Sequence, residues 1–332
     1  MYRFIYLISF VLLFFSGCSQ VVNIRTLEPA EIDRVSDTKK ISITSFADDR
    51  VGLSSKIETK LAHIRINGKN YFTIVSRNDF DKIIKEQKIQ NSGLVDSSTA
   101  VNVGNLIGAQ AIISGRVGRV GSEDTYYYEQ RVRCADKKCK ELVEYRVRCK
   151  KRLISLWAEI KMIDVAKGDI IYGDTFSRSR KYSHCSDDSR AIPSKSMVAQ
   201  SLANSIADDF VYKLTPHYRY FEVELLDEPD LDYTDKQERL LKVSLEYIEQ
   251  ARYDKAEKFL RELIDSTGSQ SYVAFYDMGV VEEAKGKYKE AQEYYNRADS
   301  LMIEPVDEIN RAVIRIKNLI KQSKITQEQL RK

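Results

Sequence analysis

Any chemistry in this chain would come from five cysteines and three histidines, and their spacing limits what kind it can be. His63, His184 and His217 are far apart, and none stands at a spacing suited to a metal or to a catalytic base with its partner. There is no glycine-rich phosphate loop, nucleophile elbow or paired-carboxylate motif, and the lone glycine of Asn91-Ser92-Gly93-Leu94-Val95-Asp96 is weak evidence for a binding turn. His63 falls beside apolar positions of a predicted helix and reads as packing. The expectation is a non-enzyme with no catalytic residues, no metal and no cofactor for catalysis. With Cys18 set aside at the end of an N-terminal apolar run, Cys134, Cys139, Cys149 and Cys185 form an even set. That suits an oxidising compartment and two disulfides in any of three connectivities. A tight hairpin would pair Cys134 with Cys139 and leave Cys149 to reach Cys185. The competing reading, a metal on Cys185 and the adjoining His184, lacks C-x2-C ligand spacing.

These cysteines must be positioned by the segment 121–152. Tyr126, Tyr128, Val132 and Cys134 alternate along one run, and Val143, Tyr145, Val147 and Cys149 answer on a second, with Arg131, Arg133, Arg146, Arg148 and Lys150 expected on the other side. Two alternating runs around a polar tip make a hairpin. Three readings stay open: a membrane-spanning hairpin of an oligomeric barrel, a basic hairpin that touches acidic lipid headgroups or a partner, and a solvated insertion. Spanning needs about 9 to 11 residues per strand with an apolar outward face, and Gln130 interrupts it. The run between Asp169 and Ser194 is no better suited to lipid, since apolar alternation is almost absent there. Arg178, Arg180 and Lys181 against lipid would cost a few kcal/mol each near the midplane, so the pore reading loses.

The body around this hairpin reads as a mixed α/β sheet. Residues 41–46 and 72–75 are short strands, the first covered on one face. Ile57, Leu61 and Ile64 mark one helix, and Phe80, Ile83, Ile84 and Gln87 a second, capped by Ser76. Ser97, Ser98 and Thr99 cap a third, with Val101, Val103 and Leu106, which stops at Gly108 before a buried strand, 111–117. Residues 153–165 and 169–176 pair as strands about a turn at Lys167-Gly168, with Trp157 off the main apolar face. A helix over 196–214, carrying Val198, Leu202, Ile206 and Phe210, closes the domain before Pro216. With 53 basic and 49 acidic residues the chain is nearly neutral, so no nucleic-acid role follows, and 43% apolar residues in 332 allow two domains with real cores.

IVSRNDFDKIIKEQ, NSGLVD and STAVNVGNLIGAQAIISGRV together resemble the curli-secretion, CsgG-like lipoprotein family, over roughly residues 41–214. Gly93, Gly104, Gly108 and Gly115 carry the likeness, each explicable as a positive-φ turn, a helix stop or a close strand approach. The resemblance implies an envelope-assembly role and the family's CsgG-like α/β fold. In the family's channel-forming member the loop at 47–53 is longer and builds a pore constriction; here it is short and offers no aromatic or Asn side chain. Phe15-Ser16-Gly17-Cys18 resembles a bacterial lipobox with Phe15 in place of Leu, which implies acylation of Cys18 and membrane attachment. Ser19, not Asp, follows, which favours the periplasmic side of the outer membrane. An ordinary signal peptide that leaves Cys18 free is the competing reading.

Beyond an acidic linker, 221–235, the composition shifts to helix formers. Ala251-Arg252-Tyr253-Asp254-Lys255-Ala256 and Gly286-Lys287-Tyr288-Lys289-Glu290-Ala291 are one phrase repeated. Its period, from Tyr253 to Tyr288 and Ala256 to Ala291, is close to that of tetratricopeptide repeats, and Gly279, Tyr295 and Ala298 fall on that family's small and aromatic positions. Ser244 stands where the first copy should have Gly, and Pro305 comes late; a plain helical bundle is the bland alternative. The expected order is signal peptide 1–18, tether 19–40, α/β domain 41–220, linker 221–235, all-α TPR-like repeats 236–322 with a capping helix over 306–320, and tail 323–332. The resulting expectation is an outer-membrane-anchored periplasmic lipoprotein that binds a protein partner through the repeats' concave face, with homo-oligomers an open option. A curli-type secretion channel and an activator of a cell-wall synthase are the alternatives.

Overall fold

The structure, a computed structural model, describes residues 20–75 and 97–332. The expectations for Met1 to Cys18, for the helix bearing Phe80 and Ile84, and for Gly93 lie outside the described residues. The chain divides into two compact units. One holds residues 29–217 with 326–332; the other holds 218–325 with the segment ending at Glu28.

The first unit is built on a mixed sheet in the order β5-β2-β6-β8-β7, with β9 on the other side of β8. Strand β2 (Lys40–Ile43) pairs in parallel with β5 (Thr73–Val75) and β6 (Ala111–Val117), and β8 (Leu142–Asp164) runs antiparallel to β6. Helix α1 (Leu53–His63) begins where Asp49 accepts the backbone N–H groups of Leu53 and Ser54, at 2.8 and 2.9 Å. Helix α2 (Ser97–Ile107) covers one sheet face, packing Ala100 and Val103 on Ile112, Ile163 and Val165. Helix α3 (Lys195–Leu214) covers the other, where Phe210 meets the rings of Tyr172 and Phe176. Burial on both faces corrects the one-sided reading of β2, because Ser42 is as buried as Ile41 and Ile43. Gly108 takes φ +66° as α2 stops, and a Cβ at Gly115 would sit 2.7 Å from the Glu159 carbonyl oxygen. A two-stranded ribbon, β3 (Arg65–Ile66) with β4 (Lys69–Asn70), completes the unit.

From this sheet three strands run on together. β7 (Gly121–Cys134) pairs with β8 from Gly121↔Ser155 to Cys134↔Leu142, and β9 (Ile170–Cys185) pairs with β8 up to Cys149↔Cys185. The predicted strand 169–176 is therefore too short, since β9 continues through its charged residues as the third strand of an arm. The arm also corrects the facing of the hairpin. Tyr126 stands opposite Lys150 and Tyr128 opposite Arg148, so the tyrosines of β7 share a face with the cations of β8. Pairing even with even positions, one residue away from the expected match, flips one strand's side chains relative to the other.

The second unit contains helices α4 (Asp235–Glu249), α5 (Tyr253–Ser266), α6 (Tyr272–Ala284), α7 (Tyr288–Leu301) and the start of α8 (Asp307–Arg331). A capping box between Thr234 and Gln237 starts α4. α4 packs with α5 and α6 with α7, an arrangement consistent with helical repeats. α6 is the central element: it is buried from Val273 to Glu283. Against these helices lies a ribbon of β1 (Val21–Glu28) and β10 (His217–Glu224), whose Val22, Ile24 and Val223 join the helical core, with Leu225 just beyond. Residues 19–40 are thus not a tether without periodicity, because β1 alternates exposed Val21, Asn23 and Arg25 with buried Val22, Ile24 and Thr26. Nor is 221–235 a bare linker: Asp230 caps α6 by accepting the Tyr272 N–H at 2.5 Å, and Leu226 N–H donates to Asp277. The expected capping helix and tail form one helix reaching Arg331. In its last turns the buried Gln329 amide pairs with both backbone groups of Ala30, at 2.8 and 3.2 Å.

Candidate functional site

Two surfaces could carry function, and the sequence-predicted residues divide between them. On the arm the four cysteines form Cys134–Cys139 at the tip and Cys149–Cys185 across β8 and β9. Both sulfurs of the second bridge are engaged, so the neighbouring Glu129, whose carboxylate lies 3.6 Å from the Cys185 sulfur, is not joined there by free thiolates. His184 occupies the opposite face of β9 and meets the Arg190 carbonyl at 2.7 Å, so His184 and Cys185 do not converge on a metal.

The two faces of the arm differ. On one, Val147 and the Cys149–Cys185 bridge form a small apolar cluster with Tyr127 and Tyr145. Beside it Arg131 donates to Asp187 at 2.8 Å and Asp188 at 3.0 Å, while the Tyr145 hydroxyl donates to Asp187 at 2.6 Å. The Tyr145 hydroxyl holds the Asp187 carboxyl below its ordinary range; Asp188 is held down by the Cys185 N–H and then by Arg131. On the other face Asp124 accepts from Arg152 at 2.7 Å and from Lys150 at 2.6 Å, and these two cations, Arg152 first, push its pKa far down. Farther out, the Arg148 guanidinium lies 4.8 Å from the Tyr126 ring centre and that of Arg146 5.1 Å from Tyr128. Neither face offers the continuous apolar band of a bilayer-spanning strand. Among the described residues, no helix is long and apolar enough to cross a membrane.

In the helical unit the predicted repeat positions are buried or partly buried. Ala256, Ala291, Tyr295 and Ala298 are fully buried, and a Cβ at Gly279 would come within 2.6 Å of the Tyr295 ring. Tyr253 and Tyr288, at the starts of α5 and α7, are partly buried, and the Tyr288 hydroxyl meets that of Thr26 at 2.9 Å. None of these residues faces a vacant concave surface, because β1 lies across α4 and α6. An open groove of this unit, of about 670 Å³, lies elsewhere, between β10 and α8. Phe221, Leu319 and Ile325 line it with the exposed Ile314, and Arg219, Arg311 and Lys321 edge it. Sequence reading missed this groove; the one signal was Ile314, an apolar residue outside the buried stripe of Ile309, Ala312, Ile316 and Leu319.

Residues 38–124 match the family described as curli production assembly/transport component CsgG, so this stretch of the α/β unit is CsgG-like. No curated protein matches the chain. Among solved structures, the PelC dodecamer from Paraburkholderia phytofirmans is 14% identical, with a TM-score of 0.23, and the match covers 59% of this chain and 99% of that one. Lipoprotein GNA1162 from Neisseria meningitidis is 11% identical, with a TM-score of 0.26, and the corresponding shares are 52% and 97%.

Proposed function

We propose that this chain, CsgG-like over residues 38–124, is a non-enzymatic scaffold of the bacterial envelope. Acyl chains on Cys18 hold it at the periplasmic side of the outer membrane, and its helical unit recruits a protein partner. The observation that carries this reading is the groove between β10 and α8. An apolar floor suits a peptide with an apolar anchor, and Lys321 at its edge suits an acidic flank, while Arg219 and Arg311 are already paired with Glu28, Glu224 and Glu308. Ile314, 65% exposed at its margin, is positioned to meet that anchor. The repeat face covered by β1 leaves this side of the unit for a partner. Copies of this chain could also join one another, since β7 and β9 each leave a strand edge of the arm unpaired among the described residues.

A photo-crosslinking amino acid in place of Ile314, used in intact cells, tests the reading. The expected result is one discrete adduct with another envelope protein, reduced at least severalfold by Lys321→Glu. No adduct, or an adduct indifferent to Lys321→Glu, removes the groove from the function.

A further inference from the structure

We infer that the arm rests on the phosphate headgroups of an anionic phospholipid bilayer, through the face that carries Tyr126, Tyr128, Arg146 and Arg148. This is independent of what the helical unit binds. Residues 121–152 hold ten Lys and Arg against six Asp and Glu, a net +4 equal to that of the whole chain. The excess charge of the protein is thus concentrated on one ribbon.

Glu144, opposite Val132, is an acid on this face without an ion pair among the described residues, and the other acids nearby are placed so that the face keeps a basic excess. Asp124 is taken up by Lys150 and Arg152 near the root, and Glu129, Asp187 and Asp188 serve Arg131 on the opposite face. Arg146 and Arg148 have no carboxylate partner among the described residues; each lies over a tyrosine ring. Those rings are themselves 60% and 54% exposed, and Val132 and Leu142 are exposed farther along the same face.

A strand ladder flanked by guanidinium groups matches an extended charged plane better than a small ligand, which needs a concavity. Amphipathic tyrosines sit well at a headgroup boundary, with ring against acyl chain and hydroxyl in water. A soluble anionic polymer would satisfy the cations yet leave Val132, Leu142 and the rings in water, so the bilayer is the better match. The disulfides at the tip and across β8 and β9 hold the ladder in shape before contact, which limits the ordering penalty of binding.

The test uses protein expressed from residue 18 with Cys18→Ser, which keeps every described residue and has no site for acylation. It is sedimented with vesicles of phosphatidylethanolamine and phosphatidylglycerol, and separately with phosphatidylcholine vesicles. Binding only to the anionic vesicles, weakening as salt rises, is expected. Each cation near such a surface contributes about fivefold in partition, so Arg146→Gln with Arg148→Gln should weaken binding about 30-fold. Lys151→Gln with Lys181→Gln, the same charge change on the opposite face, should weaken it far less. All four residues are at least partly exposed, and circular dichroism verifies that each variant is folded. Equal binding to both vesicle types, or equal loss from the two variant pairs, overturns the assignment.

Discussion

At the scale of single residues, the contact that most constrains the helical unit is the ion pair of Glu283 and Arg315. Glu283 is fully buried on α6; it accepts from Arg315 Nε at 2.8 Å, from Arg315 Nη2 at 2.9 Å and from the Tyr295 hydroxyl at 2.5 Å. Burial pushes the Tyr295 phenol well up, which keeps it a donor. Removing one partner of such a pair leaves a buried charge without compensation. Arg315→Ala should therefore cost about 3–5 kcal/mol, read from urea unfolding of the full chain, whereas Glu283→Leu with Arg315→Met should cost much less. A loss within the range of an exposed ion pair would mean that water reaches Glu283. The sequence disclosed part of this centre. Gly279, Tyr295 and Ala298 stood out by their spacing, and the ring of Tyr295 needs the space that Gly279 leaves. Glu283 did not stand out, because in Glu282-Glu283-Ala284-Lys285 it looks like a helix surface charge and its partner comes 32 residues later.

At the scale of elements, the arm depends on the bridge between β8 and β9. The bridge joins positions 36 apart in sequence, and closing a loop of that size is worth about 3–4 kcal/mol by chain entropy. Cys149→Ala with Cys185→Ala should free the outer arm while leaving β6 and its neighbours folded. Limited trypsin digestion should then cut at Lys150, Lys151 or Arg152 well before any site in the body; an arm as resistant as that of the native protein would assign its order to the strand ladder alone. The cysteine spacing left three connectivities open, of which the structure selects Cys134–Cys139 with Cys149–Cys185, whereas the β7–β8 hairpin was legible from its two alternating runs. The relative facing was not, since the register depends on the tip, where Ala135 N–H bonds the Glu141 carbonyl, and a shift of one residue exchanges the faces. β9 escaped notice beyond Phe176 because most of its outer residues are exposed on both faces, so no burial pattern is written there. β1 did carry alternation, but over a few residues mixed with Asn23 and Arg25. What makes it a strand is pairing with β10, nearly two hundred residues on.

At the scale of the whole molecule, the absence of a tether changes what the lipid would hold. Three residue steps lead from Cys18 to Val21, at most about 10 Å of extended chain, and β1 then locks Val22 and Ile24 into the helical core. Acyl chains on Cys18 would hold the helical unit close to the bilayer, while the arm of the other unit supplies a second attachment of different physical origin. The two respond differently to salt. Transfer of acyl chains into hydrocarbon does not depend on screening, and two or three chains anchor stably where one is marginal. Attraction between the arm and anionic headgroups extends about one Debye length, which falls from ~10 Å at 0.1 M salt to ~3 Å at 1 M. Washing membranes with 1 M salt, ~3 Å screening, should therefore leave the native protein in place and require detergent to release it. The Cys18→Ser protein, exported through a cleavable signal peptide, should stay with membranes at low salt and leave them in the same wash. Immunoblotting the wash and pellet fractions distinguishes the failures. Release of the native protein by salt means that Cys18 carries no anchor, and release of Cys18→Ser at low salt means that the arm does not hold the membrane.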